Sequence, residues 1–578
     1  MNGKTYSELK KLCRGPAQGL PSHRMALLGD CATQHLAVML RGAARARGVE
    51  LELWEADYDQ LQAQILDDGS EMYAHNPGTV LLFLCAEKLY DRFVSCPVER
   101  RADFARQECA RITGWWDRIA AVCPAQILQY NFVELDDRVF GDYAAKNEAA
   151  FITQLRQLNE LVRQAAAARK QVALLDLQRV QNLMGRRAFY DAALYYVAKM
   201  PIALQALPEV AELAVDRVCV TMGRVKKCAV LDLDNTLWGG VIGDDGINGI
   251  QLGELGQGRA FTDLQRWLLE LRRRGVLLAV CSKNEKEAAM EPFLHHPEMV
   301  LRMEDIALFV ANWEDKASNI RYIQKTLNIG MDSLVFIDDN PFERQAVRAL
   351  LPEVCVPELP EDPAHYLEYL RGLDLFSTAS YSESDAVRTQ QYREESSRAE
   401  AQQQFGSYEE YLESLEMQAA AAPFDGFHIP RIAQLTQRSN QFNLRTVRYT
   451  EDAAAAAAAD PDTITQYFTL EDKFGDYGLV GVVILRKTGP EEAFVDTWLM
   501  SCRVLRRGME ELIADRIVAL AKQAGCKRVV GEYLPTAKNK MVSELYPRMG
   551  FEPVGENRWQ AAVDTYTPHK TKIKEKSV

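Results

Sequence analysis

Ala229-Val230-Leu231-Asp232-Leu233-Asp234-Asn235-Thr236-Leu237 is the stretch whose reading decides the fold class. An unbroken apolar run delivers two carboxylates, two positions apart, into a turn. A strand that is apolar on both faces belongs to a parallel sheet covered on both sides. In open α/β sheets, ligands sit beyond the carboxyl ends of the strands. The same arrangement recurs downstream in order: Ser282, with Lys283 and Asn284, ends a second apolar strand, and Lys316 opens a helix. Asp338-Asp339 then closes the strand Leu334-Val335-Phe336-Ile337.

These residue types suit phosphoryl transfer. Phosphate esters hydrolyse unaided so slowly that catalysis can reach ~10²¹-fold, which demands a nucleophile and much positive charge. Asp232 is the expected nucleophile, forming an aspartyl-phosphate and splitting one hard step into two. Asp234 is the expected acid and base, protonating the leaving oxygen and later taking a proton from water. Letting a carboxylate approach an anionic phosphate calls for Mg²⁺ with oxygen ligands, here Asp232, Asp234 through its carbonyl, and Asp338, with Asp339 beside it. Ser282 and Lys316 are expected to hold the phosphate oxygens, with Asn235 and Thr236 of the turn as further phosphate-binding candidates. A lone Asp-x-Asp at a strand end is often an ordinary turn; four elements in order are not.

Working outward, strand candidates at 228–233, 276–281, 308–311, 333–338 and 354–356 alternate with helical segments such as 260–274 and 317–327. The preceding two hundred or so residues show the same alternation, with strands at 24–29, 49–54, 79–85, 126–130 and 172–177 and a helix at 32–47. From 380 to about 418 the chain turns polar and reads as bridging helices. Strands at 466–470, 481–485 and 494–498 and a long helix at 508–524 form a third unit. The expected domains are 1–205, 206–376, a linker 377–423, 424–565, and a basic tail 566–578 read as solvated.

The 578 residues exceed what one core serves. A net charge of −13 disfavours nucleic acid and anionic membrane as non-specific partners. Twelve cysteines without a Cys-x-x-Cys pair suit a reducing compartment, and the start of the chain lacks a signal-peptide pattern, so a cytoplasmic location is expected.

The central motif, extended as Trp238-Gly239-Gly240-Val241-Ile242-Gly243, resembles the FkbH-like branch of the haloacid-dehalogenase (HAD) superfamily, subclass IIIC. So do Val280-Cys281-Ser282-Lys283-Asn284, Asn312-Trp313-Glu314-Asp315-Lys316 and the run from Phe336 to Arg344. The likeness continues in Lys473-Phe474-Gly475-Asp476, Ser501-Cys502-Arg503-Val504-Leu505 and Tyr533-Leu534-Pro535-Thr536. It implies an α/β protein: a three-layer HAD core flanked by an N-terminal SGNH- or flavodoxin-like domain and a C-terminal GNAT-like α+β domain. It also implies an enzyme that loads the glyceryl unit of 1,3-bisphosphoglycerate onto an acyl carrier protein and removes the phosphate, in polyketide-type metabolism. By that likeness Cys281 is the acyl-accepting nucleophile; read from the residues alone, it is equally a small apolar side chain finishing a buried strand. The alternative function is a simple phosphatase for a small metabolite, with both flanking domains non-catalytic.

The flanks carry their own expectations. The segment 238–252, rich in glycine, implies either an open site or a plain surface hairpin. Gly29-Asp30-Cys31 stands where SGNH esterases have Gly-Asp-Ser, but the later Asp-x-x-His is missing and Asp191-Ala192-Ala193-Leu194 is its nearest remnant, so a scaffold or recognition role is expected. The coenzyme A signature of GNAT enzymes is altered in Leu505-Arg506-Arg507-Gly508-Met509-Glu510. Arg503, Arg506 and Arg507 read either as a patch for an acidic carrier or as solvated arginines.

Overall fold

The computed structural model of the protein describes residues 4–15, 19–378, 406–439, 441–536 and 539–576. They form two compact units, one drawn from Met1–Val276, His296–Val300 and Gly330–Glu383, the other from Leu277–His295, Leu301–Ile329 and Ser384–Val578.

In the first unit, strands β1 (Ser22–Gly29), β2 (Glu50–Glu55), β3 (Thr79–Phe83), β4 (Gln126–Tyr130) and β5 (Val172–Leu175) form a parallel sheet in the order β2-β1-β3-β4-β5. That is the flavodoxin-like order. The central strands are apolar on both faces because both faces are covered. Met25, Leu27, Leu81, Phe83 and Leu128 pack into one core with the helices Gln34–Ala46 and Leu207–Thr221. Ala26, Leu28, Val80, Leu82 and Ile127 pack into another with Phe104–Val122 and Phe151–Ala167. The N-terminal layer thus runs past residue 205, where the sequence reading ends it. Val210, Ala211, Ala214, Val215 and Val218 of the helix Leu207–Thr221 are buried in the sheet's core.

The same unit contains β6 (Cys228–Leu231) and β9 (Leu334–Ile337), parallel in the register Cys228↔Leu334 through Leu231↔Ile337. All eight residues are buried.

In the second unit, β7 (Leu277–Ser282) and β8 (Leu308–Ala311) pair in parallel, Ala279↔Leu308 through Ser282↔Ala311. The unit's large sheet comprises β10 (Gln418–Ala422), β11 (Thr463–Asp472), β12 (Gly475–Gly489), β13 (Glu492–Met500), β14 (Arg528–Glu532), β15 (Glu552–Gly555), β16 (Arg558–Ala562) and β17 (Lys574–Glu575). Its order is β15-β16-β14-β13-β12-β11-β10-β17. β10 to β13 form an antiparallel meander, whereas β13 and β14 are parallel and joined through the helix Met509–Gln523. Val483, Leu485, Val495 and Trp498 from the sheet and Ile513 and Ile517 from that helix share one core.

Two expectations change here. Most of the helices expected over 380–418 lie outside the described residues; those described contain the helix Tyr408–Ser414, and the alanine run Gln418–Ala422 is already a sheet strand. Alanine has little strand propensity, so the pairing with β11 rather than the local sequence makes it one. The basic end is not a solvated tail either: Lys574 and Glu575 pair with Gln418 and Ala419, and Ile573 is 7% exposed. His569 meets Asp515 at 2.9 Å, and Lys572 bonds Glu413. Among the described residues, no helix is long and apolar enough to cross a membrane.

Candidate active site

The β6/β9 register brings the acidic residues together. Each strand ends one residue before an aspartate, and the Asp232 N–H donates to the Ile337 carbonyl at 2.9 Å. Asp232 and Asp338 therefore emerge side by side. One carboxylate oxygen each from Asp232, Asp338 and Asp339 lie within 4.8 Å of one another. Asp232 is 7% exposed and Asp338 is fully buried. Three carboxylates this close repel one another, and an all-oxygen donor set of this charge fits a hard divalent cation. Tyr366 registers the same field: burial, then Asp339 and Asp338, push its phenol up to about 12.

Neighbouring groups fix these carboxylates. Asp338 Oδ1 accepts the Asn340 N–H at 2.8 Å. Arg344, only 4% exposed, donates through Nη1 to the carbonyls of Asp338 at 2.9 Å and Asp339 at 2.6 Å, and is paired with Glu358. Thr236 is fully buried; its Oγ1 accepts the Asp339 N–H at 3.1 Å and donates to Asp339 Oδ1 at 3.3 Å. Thr236, which the sequence reading makes a phosphate ligand, is buried with its hydroxyl engaged on Asp339, and so positions that residue. No role was assigned to Arg344 from the sequence. Its place six residues after Asp338, in the first turns of the helix Pro341–Leu350, was the available signal.

The turn after β6 holds Asp234. Asn235 adopts φ 53°, the left-handed region that Asn tolerates, and its Oδ1 accepts the Gly240 N–H at 2.9 Å. Asp234 Oδ1 accepts from Trp238 Nε1 at 2.9 Å and from the Ile242 N–H at 3.0 Å. Two donors on one oxygen fix the plane of the carboxyl, as an acid–base group needs. The segment after it closes on itself, Gly239 and Gln251 exchanging backbone hydrogen bonds at 3.1 and 2.8 Å. Trp238, the first residue of that clasp, is fully buried.

The remaining site candidates belong to the second unit. Ser282 ends β7 and accepts from Asn284 Nδ2 at 3.1 Å; both are buried. Lys316 is 4% exposed at the first position of the helix Lys316–Leu327, whose N-cap Asp315 accepts the Ser318 N–H at 2.9 Å. Asn312 and Asn319 exchange side-chain amide bonds at 3.2 and 2.8 Å, bracing the loop that carries Lys316. Cys281 is fully buried, with Sγ 3.9 Å from the Lys316 carbonyl oxygen.

Two flanking expectations also meet geometry. The three histidines of the N-terminal layer are engaged elsewhere: His23 with Thr79, His35 with Tyr6 and His75 with the Glu52 carbonyl. Asp191 serves as a helix cap, accepting the Leu194 N–H at 3.0 Å. In the C-terminal unit, Arg507 is 7% exposed, 3.7 Å from Asp472 and bonded to the Tyr477 hydroxyl, so it is neither a carrier-facing nor a solvated arginine. Glu510 accepts the Arg506 N–H at 2.8 Å, occupying a donor that a diphosphate would otherwise use.

A family model described as the FkbH N-terminal domain matches residues 24–219. The solved N-terminal part of the protein BF1531 from Bacteroides fragilis, containing a phosphatase domain and complexed with Mg, is 42% identical, with a TM-score of 0.63. The match covers 65% of this chain and 100% of that one. The ribosomal-protein-S18-alanine N-acetyltransferase of Escherichia coli is 15% identical over 25% of this chain and 89% of that one, with a TM-score of 0.19. The GNAT domain of S. lividans PAT is 18% identical over 25% and 89%, with a TM-score of 0.21. Comparison with the curated proteins finds no match. With its strand-end carboxylates in place, and at 42% identity across the whole of a phosphatase-containing structure, the chain belongs to the FkbH-like family of the haloacid-dehalogenase superfamily.

Proposed function

We propose that the protein is a Mg²⁺-dependent phosphatase that also transfers a glyceryl unit from 1,3-bisphosphoglycerate to an acyl carrier protein. The observation that carries the phosphatase reading is the Asp232, Asp338 and Asp339 cluster at the ends of β6 and β9, with Asp234 pinned two residues on. Asp232, Asp338 and Asp339 offer the carboxylates for the ion, with the Asp234 carbonyl. Bound Mg²⁺ supplies the positive charge that offsets repulsion between these carboxylates and a phosphate. Asp232 attacks phosphorus and the ester bond breaks as Asp234 gives its proton to the leaving oxygen. Asp234 then takes a proton from water as that water cleaves the aspartyl-phosphate. Ser282 and Lys316 bind the phosphate oxygens in this reading, and Asn235 lies in the turn below the nucleophile.

The transfer step rests on the family resemblance. In it, a thiol displaces phosphate from the acyl phosphate and the acyl group ends on the carrier's phosphopantetheine sulfur. A fully buried Cys281 is packed as the last apolar side chain of its strand, and acyl transfer through it requires its contact with the Lys316 carbonyl to open.

The purified enzyme is tested with p-nitrophenyl phosphate and Mg²⁺, where Asp232→Asn is expected to lower turnover by more than about 10³-fold. Unchanged turnover in that variant refutes the mechanism. Intact-protein mass spectrometry with 1,3-bisphosphoglycerate and a holo carrier protein tests the transfer: a glyceryl adduct on the carrier is expected. Phosphate release without an adduct leaves a simple phosphatase. An adduct that Cys281→Ala abolishes assigns the acylation to that thiol; an undiminished adduct leaves it a strand-end packing residue.

A further inference from the structure

Gly29-Asp30-Cys31 takes no part in the chemistry above, yet the fold gives it neighbours. β1 and β3 are parallel in the register Gly29↔Phe83, so the residues two beyond each strand end, Cys31 and Cys85, leave the sheet side by side. Asp30, Cys31 and Cys85 are 9%, 2% and 4% exposed. One Asp30 carboxylate oxygen and the two Sγ atoms all lie within 4.8 Å of one another. Glu87, in the first turn of the helix Ala86–Ser95, is 8% exposed and interacts with the Cys85 side chain.

Two buried thiols alone are ordinary small core residues. The carboxyls beside them are not ordinary. Asp30 Oδ2 and Glu87 Oε2 are buried with no hydrogen-bond partner, and native proteins leave few buried polar atoms in that state without an ion or water. Asp30 Oδ1, by contrast, accepts the Cys85 N–H at 2.8 Å, which orients its other oxygen.

We propose that Asp30, Cys31 and Cys85, with Glu87 completing the set, bind a zinc ion or another borderline divalent cation at the head of the N-terminal sheet. Glu87 lies outside the group of three and would swing in from the adjoining helix turn as the fourth ligand; four protein ligands would then close a tetrahedral shell, a structural site tying the ends of β1 and β3 together. Ligands on such a tetrahedron stand roughly 3.3–3.8 Å apart, so the side chains must draw together as the ion binds. Two thiolates and two carboxylates around a divalent ion leave negative charge over. Arg92, with Nη1 3.9 Å from Asp30 Oδ2 and Nε 3.2 Å from Glu108, and Arg186 near Glu87, provide the compensation. Cys85, Glu87 and Arg186 also line a small pocket partly open to solvent, the side from which an ion would enter. The thiols separate this site from the oxygen-only carboxylate cluster, which favours a harder ion.

The test uses the full-length protein, stripped of metal under reducing conditions and titrated with Co²⁺. A near-ultraviolet thiolate-to-cobalt charge-transfer band is expected, saturating at a stoichiometric amount and displaced by Zn²⁺. The oxygen-only site cannot produce that band. Cys31→Ser and Cys85→Ser should each weaken binding by more than the ~10–100-fold that loss of an outer-sphere partner costs. Far-UV circular dichroism reports whether the variants are folded. Asp30→Asn, which keeps both thiols and nearly the same shape, should also weaken Co²⁺ binding. No band, a band undiminished in both cysteine variants, or unchanged affinity in Asp30→Asn overturns the proposal.

Discussion

At the residue scale, side chains of similar appearance in the sequence have unlike jobs. Thr236 stands beside the paired aspartates and reads as a phosphate ligand, and its hydroxyl is bonded to Asp339. Thr236→Val keeps the shape and loses that link, so the Mg²⁺ concentration needed for half-maximal activity should rise by about 10–100-fold. Thr236→Ser should restore it; a steady-state metal titration of both variants decides. Arg506 and Arg507 are adjacent and look interchangeable, yet Arg506 is exposed while Arg507 is buried against Asp472 and Tyr477. Breaking a buried pair by reversing one charge is costly. Urea denaturation should show Arg507→Glu destabilised by about 3–5 kcal/mol and Arg506→Glu close to wild type.

At the scale of elements, registers and helix packing do the positioning. Parallel pairing of β6 with β9, each ending one residue before an aspartate, places Asp232 against Asp338 without help from any loop. The helix Leu207–Thr221 closes the N-terminal layer, and on it Asp216 is mostly buried, 2.8 Å from Arg47 at the end of the helix Gln34–Ala46. Burial outweighs the arginine and, with Glu212 and Asp374 adding to it, raises the Asp216 carboxyl to about 6. A folded-state value above the unfolded one means the native form holds the proton more tightly. Its ionisation therefore costs stability as pH rises from about 4 to about 6, by about 2–3 kcal/mol at most. Asp216→Asn should flatten the pH dependence of unfolding across that window. An unchanged slope would show that the carboxyl ionises normally.

At the scale of the whole molecule, the carboxylate cluster links metal binding to folding. An ion that binds these carboxylates only in the folded form stabilises that form by mass action. At a Mg²⁺ concentration 100 times its dissociation constant this amounts to about 2.7 kcal/mol. Calorimetry of the full chain should show a Mg²⁺-dependent rise in the unfolding midpoint that Asp338→Asn removes.

The sequence by itself determined the parallel α/β character, the paired carboxylates at a strand end, and their family. Long apolar runs have no partner but a covered sheet, and the spacing of acidic residues along one strand is a local property. Tertiary structure alone decided that Thr236 and Arg344 serve those carboxylates, and that Arg507 is buried. It alone made strands of the alanine run Gln418–Ala422 and the basic end. It also placed Asp30 beside Cys31, Cys85 and Glu87. Each of these depends on which residues, distant along the chain, become neighbours, and burial and strand register set that, not composition.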